Sequence, residues 1–418
     1  MSHMLQIPLD IPNITIDNME TTTQGHRIIT VQSTVLGTSC HQCGQEITKL
    51  YGYDRAIILR HLPILGNKTL IRFSAVRYQC QSCRWNPTTT QRLSWYTSRC
   101  SCTTAYENHI LLQVVNSTIH DVCIKEDICY EAIMGMMDRR IHHAIEWTAF
   151  THLDVIGLDE ITLKKGHKNF ITIVTARIDG ETIILGVLKD RKKETVKAFL
   201  RTIPLHLRKS VKSVCCDMYD GFINAAREVL GKRIKIIIDR FHVAKLYRKS
   251  LDNLRKKELC RLKEVLSEEA YTELQGVMWA LRKSESKLED EDDDLLARLF
   301  EYSPDLKLAY DFCQELTQIF NQDVTKRQGK KKLKDWMKRV RASHLKCFNA
   351  FLKTLANRLD EIANYFISRL TSGFVEGLNN KIKVIKRRCY GILNPTHLFQ
   401  RIHLDLCGYP LFAYYQRS

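Results

Sequence analysis

Hydrophobic positions recur along this chain with two periods, and the change of period divides it. Residues 5–35 alternate, as in Ile28-Ile29-Thr30-Val31. So do Ala56–Leu59 and Thr69–Tyr78, around the turn Leu65-Gly66-Asn67; a period of two predicts strands. From Thr103 the apolar spacing lengthens to three and four. Thr104-x-x-Glu107 reads as a capping box opening a helix over Ala105–Val115, and Ser117–Ile124 as a short second helix. Asp127 reads as the cap of a third, with Ile128, Ala132, Ile133 and Met136 turned inward. Short apolar runs return after residue 150. Val155–Leu158, Val211–Cys216 and Ile234–Ile238 each run into an acid: Asp159, Asp217 and Asp239. The β-branched runs Phe170–Thr175 and Thr182–Val187 flank the turn Ile178-Asp179-Gly180-Glu181. Helical spacing holds from 244 to about 368, with the acidic run Glu289–Asp294 read as a solvated loop between helices. Near the end, Val375, Leu378, Ile382 and Ile385 share one helix face, while Glu376, Asn379, Asn380, Lys383 and Arg387 share another, and Gly391 reads as the stop.

Between 155 and 239 the order is strand, strand, strand, helix, strand, helix, strand, which is the order of the ribonuclease-H-like fold. The predicted class is therefore an α/β ribonuclease-H-like domain with an all-α insertion. In that fold the first and fourth strands are neighbours, so Asp159 and Asp217 face each other and can hold divalent cations, because hard ions take oxygen ligands. Glu376 adds a third carboxylate, on a helix face that also carries two amides and a line of cations. Glu160, next to Asp159, points to the opposite face of its strand and is expected to be dispensable.

The cysteines add a second chemistry. Cys40-His41-Gln42-Cys43 and Cys80-Gln81-Ser82-Cys83 are paired knuckles of the kind that hold one structural zinc through four thiolates. A β-ribbon accounts for the long interval between them. Cys100 and Cys102 read as free thiols or as stand-ins for a lost ligand. The remaining cysteines, in a total of 15 with no secretory signal, suggest a reducing compartment. Met1-Ser2-His3-Met4 looks like an appended leader, and no run of about 20 apolar residues predicts a membrane span.

A net charge of +18 points to a polyanionic partner. Lys326–Lys346 carries ten Lys and Arg against one acid, Asp335, and fits either a helix lying along phosphates or a plain solvated face. Lys330, Lys331, Lys332, Lys338, Arg339 and Arg341 are its candidate contacts; Lys383, Lys386, Arg387 and Arg388 form a second tract. The three short helices after residue 103 suit a helix-turn-helix or a helical spacer, with Arg139 and Arg140 as the basic end of the third.

Several motifs together resemble one family. They are the two knuckles, Gly157-Leu158-Asp159-Glu160 followed by Lys164-Lys165-Gly166-His167, Cys216-Asp217-Met218, Asp239-Arg240-Phe241-His242-Val243, Glu376-Gly377-Leu378-Asn379-Asn380-Lys381-Ile382-Lys383, and Lys386-Arg387-Arg388-Cys389-Tyr390-Gly391. From roughly residue 40 to 405 the chain resembles the DDE transposases of bacterial insertion sequences, in the ISL-three group. The resemblance implies Asp159, Asp217 and Glu376 as a catalytic triad holding two Mg²⁺ ions, about 4 Å apart. It implies cleavage and joining of DNA at the element's terminal repeats and target, by a homodimer on DNA in the bacterial cytoplasm. It makes Asp239 and His242 family features, as partners of the metals or DNA or as packing, and Asn379 and Asn380 candidates for the same supporting shell. The implied domains are a zinc ribbon (5–102), a helix-turn-helix (103–145), a catalytic core (151–243), an all-helical insertion (244–368) and the core's closing helices (369–418). A structure-specific nuclease of the same fold and a domesticated DNA-binding regulator are the competing readings.

Overall fold

The computed structural model describes residues 9–142, 145–162, 170–283, 287–369, 373–390 and 392–413; the side chains of Ser368, residues 373–376 and Asn379 lie outside that description. The chain forms two compact units, one of residues 1–142 with 400–418 and one of residues 143–399.

The first unit opens with β-structure split between two small cores. Strands β1 (Ile14–Thr21), β2 (Arg27–Ser33), β6 (Ile57–Ile64) and β7 (Asn67–Phe73) make a four-stranded sheet in the order β1-β2-β7-β6. Its inner face buries Ile29, Val31, Leu59, Ile71 and Phe73 against Trp95. The β6–β7 turn is the expected one, with Leu65 and Gly66 both at positive φ. The single run expected over Thr69–Tyr78 breaks in two. Its second half, β8 (Val76–Gln79), joins β5 (Leu50–Tyr53) and β9 (Thr88–Thr90) in another sheet. With the short pair β3 (Thr38–Ser39) and β4 (Glu46–Ile47), that sheet encloses the knuckle cysteines.

Three helices follow: α1 (Thr104–Val114), α2 (Ile119–Glu126) and α3 (Tyr130–Arg140). Their caps differ from the expected ones. Thr103, not Thr104, caps α1, its hydroxyl accepting from the Tyr106 amide at 3.3 Å. Asp127 closes α2 in the left-handed conformation rather than opening α3. Ile133, Met136 and Met137 fill the core between the helices, with Leu404 and Phe412 from the carboxy-terminal helix. Arg401 and Asp405 of that same helix are fully buried; Arg401 donates to the Val114 and Ser117 carbonyls, and Asp405 accepts from the Asn116 amide at 2.7 Å.

The second unit is a mixed sheet flanked by helices. Strands β10 (Val155–Thr162), β11 (Phe170–Ile178), β12 (Glu181–Leu188), β13 (Ser213–Cys216) and β14 (Lys235–Ile238) lie in the order β12-β11-β10-β13-β14. The first three form antiparallel hairpins; β13 and β14 run parallel to β10. Helices α4 (Lys193–Thr202), α5 (Leu205–Ser210) and α6 (Asp220–Leu230) bury Val196, Leu200, Phe222 and Ala226 on the core with Ile156, Leu158 and Val214. From Arg240 the chain is helical: α7 (Arg240–Val265), α8 (Glu268–Thr272), α9 (Val277–Ala280), α10 (Asp290–Tyr302), α11 (Pro304–Asn321), α12 (Lys326–Ala342), α13 (Asn349–Asn357), α14 (Leu359–Ala363) and α15 (Tyr365–Ser368). The run Glu289–Asp294 is not a loop. It caps and begins α10, where four acids meet the positive end of the helix dipole. Trp336 of α12 is the anchor of this bundle, wholly buried among Phe312, Phe348 and Phe351, its indole donating to the Phe312 carbonyl at 3.0 Å. Gly329 is obligatory where α12 meets Phe366, since a Cβ there would stand 2.4 Å from the ring. Helix α16 (Gly373–Arg388) then contacts β10, burying Ile382 and Ile385 of the expected stripe, and leads to α17 (Pro395–Phe412). Gly391, its expected stop, lies outside the described residues.

Candidate functional site

Three strands of the second unit deliver acids to one level of the sheet. Leu158 pairs in register with Cys216, and Cys216 with Ile238. The next residues along these parallel strands are Asp159, Asp217 and Asp239. Residues at one level of an in-register parallel sheet share a face, and neighbouring strands lie about 4.8 Å apart. The three therefore form a row with Asp217 in the middle. Asp159 is not at a strand end as expected: β10 continues to Thr162, paired with β11, and what ends at Asp159 is the partnership with β13.

Burial pushes the Asp159 carboxyl up to about 6, and Asp217 and Asp239 add to the push, against the Glu160 amide (2.8 Å) and His242, which pull it down. Asp217 is raised too, by burial first; its Oδ1 accepts from the Tyr219 amide at 2.9 Å. Half-buried carboxylates held above their usual range offer hard oxygen ligands whose ionised form a cation would stabilise. Asp239 has a structural task as well. It is 2% exposed and caps α7, accepting from the Phe241 amide at 3.1 Å, with His242 Nε2 4.0 Å from its other oxygen.

Glu160 is turned to the sheet face that carries α4 and α6, and it is not idle there. Arg191 donates to its carboxylate at 2.7 Å, and the same guanidinium stacks 4.5 Å from the Phe170 ring centre and 5.0 Å from that of Tyr219. Arg191 was missed because nothing in its local pattern marks it. The usable signal is topological: β12 runs parallel to β10, so the residues just beyond Leu188 emerge at the same end of the sheet as the acids.

Helix α16 carries Glu376, whose side chain lies outside the described part, as do that of Asn379 and the segment Lys164–His167. Asn380 and Lys383 are exposed and 3.4 Å apart. Lys386 is half-buried and donates to the Thr162 carbonyl, which ties α16 to β10 and removes this ammonium from the free basic surface; burial lowers its pKa. Arg387 is exposed and Arg388 half-buried. On α12 the buried stripe faces the bundle, and Lys331, Lys332, Lys338 and Arg341 are exposed. Lys330 pairs with Asp360 at 2.9 Å and Arg339 with Glu315, so these two are partly spent inside the molecule.

In the first unit, Cys40, Cys43, Cys80 and Cys83 bring their four sulfurs within 4.8 Å of one another. Cys40 and Cys83 stand 3.9 Å apart, and Cys43 and Cys80 3.8 Å. A tetrahedron with zinc–sulfur arms of about 2.3 Å has edges of about 3.8 Å, so the donor set fits zinc. Gly44, at φ +74°, closes the first knuckle, its amide donating to the Cys40 carbonyl at 2.9 Å. The amides of Cys43 and Gln42 hold the Cys40 thiol down near 6. Cys102 is no stand-in ligand: it is buried in the three-helix core with Glu107, and burial pushes its thiol up to about 12. Arg139 and Arg140 are likewise engaged. Arg139 donates to the buried Glu107 at 2.5 Å, and Arg140 to Asn108 at 2.7 Å, fixing α3 to α1.

One other cluster among the described residues brings three possible ligands together, His152, Asp154 and Asp179, at the opposite end of the sheet; Lys212 already neutralises Asp154 at 2.6 Å. No described helix is long and apolar enough to cross a membrane.

Comparison with known proteins gives a consistent result. The family model of the ISL-three group of DDE transposases, described as "Transposase", matches residues 156–402. The transposase for insertion sequence element IS1001 of Bordetella parapertussis is 23% identical over 372 residues, 88% of this chain and 89% of the relative. The transposase for insertion sequence element IS1557 of Mycobacterium tuberculosis is 22% identical over 391 residues, 88% of this chain and 86% of the relative.

Proposed function

From the premise that the chain belongs to the ISL-three group of DDE transposases, we propose that it binds the terminal inverted repeats of an insertion sequence and carries out metal-dependent DNA strand cleavage and strand transfer. Asp159, Asp217 and Glu376 are the carboxylates of the site. The single observation that carries this reading is the register of β10 and β13, which brings Asp159 and Asp217 to the same level of adjacent parallel strands. The strand order β12-β11-β10-β13-β14, hairpins first and parallel strands after, supports reading this unit as a ribonuclease-H-like core. Helices α7 to α15 fit the expected insertion and α16 the helix that brings the third acid.

Divalent ions bound by these carboxylates, Mg²⁺ in the cell, supply Lewis acidity and a nucleophile at neutral pH. The chain's own part is to hold the oxygens in place. The Tyr219 and Glu160 amides fix one oxygen each of Asp217 and Asp159. The Asp239 cap fixes the start of α7 and with it His242, whose charge lowers both carboxyl pKa values. The four knuckle cysteines hold one structural zinc. The helices α1 to α3 read the repeat, and the exposed cations of α12 and α16 contact phosphates. Two ends must be processed together, so the working form on DNA is a homodimer.

The test is a nicking and strand-transfer assay on terminal-repeat DNA with Mg²⁺, comparing the wild type with Asp159→Asn, Asp217→Asn and Glu376→Gln. Each variant should lose both reactions and keep DNA binding. Cleavage without joining by the wild type would make the protein a nuclease. Binding without cleavage would make it a regulator.

A further inference from the structure

Arg191 is a cation beside the acid-bearing segments that the proposed chemistry has not used. It lies just past β12, at the end of the sheet where the carboxylates stand. Three contacts hold its guanidinium: Glu160 at 2.7 Å, the Phe170 ring at 4.5 Å and the Tyr219 ring at 5.0 Å. Each belongs to a segment of the site. Glu160 is covalently next to Asp159, Phe170 opens β11 beside Thr162, and the Tyr219 amide bonds Asp217. One cation thus ties together the segments that carry the two acids.

A clamp of this kind need not be an arginine, and a salt bridge in the core would be more buried. The Arg191 side chain is 39% exposed. A guanidinium has five N–H donors in a fixed fork, and among the described residues Glu160 is the one acceptor it meets. Its fork carries further N–H donors, on a group fixed by two aromatic faces, one of them that of Tyr219, whose amide bonds Asp217. Planar, preorganised and cationic, such a group matches the non-bridging oxygens of a phosphate diester better than the mobile surface lysines do.

We infer that Arg191 is a substrate-binding group of the active site: clamped by Glu160, Phe170 and Tyr219, it donates to a non-bridging oxygen of the phosphate being cut. The inference rests on the strand-cleavage function proposed above. Arg191 neutralises charge that the phosphate brings to a row of acids and strengthens that contact as the phosphorus gains its fifth oxygen. Glu160 acts through it as a positioning residue, so the expectation that Glu160 is dispensable gives way to a graded effect.

The experiment pairs the residue with the atom it should touch. Wild type and Arg191→Met are assayed in Mg²⁺ on terminal-repeat DNA with either a normal scissile phosphate or a single-diastereomer methylphosphonate there, each isomer lacking one charged oxygen. On normal DNA, Arg191→Met should cut about 10²-fold more slowly, with binding unchanged. Arg191→Lys should recover part of that loss, and Glu160→Gln should lose less than Arg191→Met. On one methylphosphonate isomer the difference between wild type and Arg191→Met should largely vanish, because the partner oxygen is gone. Equal loss on normal DNA and both isomers would leave Arg191 a structural clamp and overturn the inference; so would full activity of Arg191→Met on normal DNA. Should Arg191→Met fail to fold, Arg191→Lys with the same substrates carries the comparison. Absence of cleavage by the wild type would sink the proposed function itself, a different result from cleavage that ignores Arg191.

Discussion

Replacing Asp159 by Asn should make the Mg²⁺-free protein more stable while destroying its activity. The Asp159 carboxyl is raised from 3.8 to about 6, chiefly by burial. A raised acid holds its proton more tightly folded than unfolded. As pH rises from about 4 to about 6, the unfolded chain releases this proton first, so the stability associated with the group is full below the lower value and lost through the upper one. A gap of about two units corresponds to about 3 kcal/mol at pH 7.5, at 1.36 kcal/mol per unit. Asparagine has the same shape and no charge to desolvate, so Asp159→Asn should recover much of that at pH 7.5 and almost none at pH 4. For a unit of some 250 residues, 1 kcal/mol moves Tm by about 2–4 °C, so a gain of several degrees is expected.

The measurement is thermal or urea unfolding of both proteins at pH 7.5 and pH 4, in buffer stripped of Mg²⁺ but without a strong chelator, which would also strip zinc from the cysteines. A Mg²⁺ titration at pH 7.5 follows. Wild type should rise in stability as the cation compensates the buried charge, and Asp159→Asn should respond far less. If the variant is no more stable than wild type at pH 7.5, or if its advantage is as large at pH 4, then Asp159 is not a strained carboxylate and its surroundings give no reason to expect a cation there.

Further outcomes concern the rest of the molecule. Freshly purified protein should contain one zinc per chain by elemental analysis, and Cys80→Ser should lose it together with the fold of the small sheet around it. Replacing Lys331, Lys332, Lys338 and Arg341 by Gln should weaken binding to specific and random DNA alike and flatten the salt dependence, each phosphate contact contributing about 0.9 to the slope; a loss confined to specific DNA would contradict the role given to α12. Trp336→Ala should cost about 3–5 kcal/mol by opening a cavity in the helical bundle, read as a lower urea midpoint. Arg401→Met should destabilise the first unit by a similar amount, because it leaves Asp405 buried without its cation.

The sheet of the second unit was legible because its strands other than the edge strand β12 are largely buried on both faces, so they read as apolar runs with a polar end. Asp159, Asp217 and Asp239 could be picked out for that reason. What could not be read was where each run stops being paired. Val155–Leu158 looks like a strand that ends at its acid, yet β10 goes on to Thr162, because an antiparallel neighbour supports its polar half. Thr69–Tyr78 looks like one strand and is shared between two sheets, since a strand's partners are not encoded in its own alternation. Caps failed for a related reason. Thr103 and Thr104 are both good caps, and the choice between them was settled by His61, which engages the Thr103 hydroxyl at 2.8 Å from across the unit.

Charge was the least legible property, and the reason bears on how the DNA-binding surface is assigned. A net charge of +18 establishes that the chain has cations to spare, but not which ones. Arg139, Arg140, Lys330, Arg339 and Lys386 each meet an internal acceptor: Glu107, Asn108, Asp360, Glu315 and the Thr162 carbonyl. Those acceptors lie between 24 and 224 positions away in sequence, outside the tract that suggested a nucleic acid, so local charge counting could not see them. Arg139 shows the energetic side. Its partner Glu107 is 3% exposed, and a buried carboxylate left unpaired costs several kcal/mol, more than a single exposed phosphate contact returns. On the function proposed above, the cations assigned to DNA are the exposed ones of the two tracts, Lys331, Lys332, Lys338 and Arg341 on α12 and Lys383 and Arg387 on α16, and it is their loss, not that of Arg139, that should weaken binding without weakening the fold.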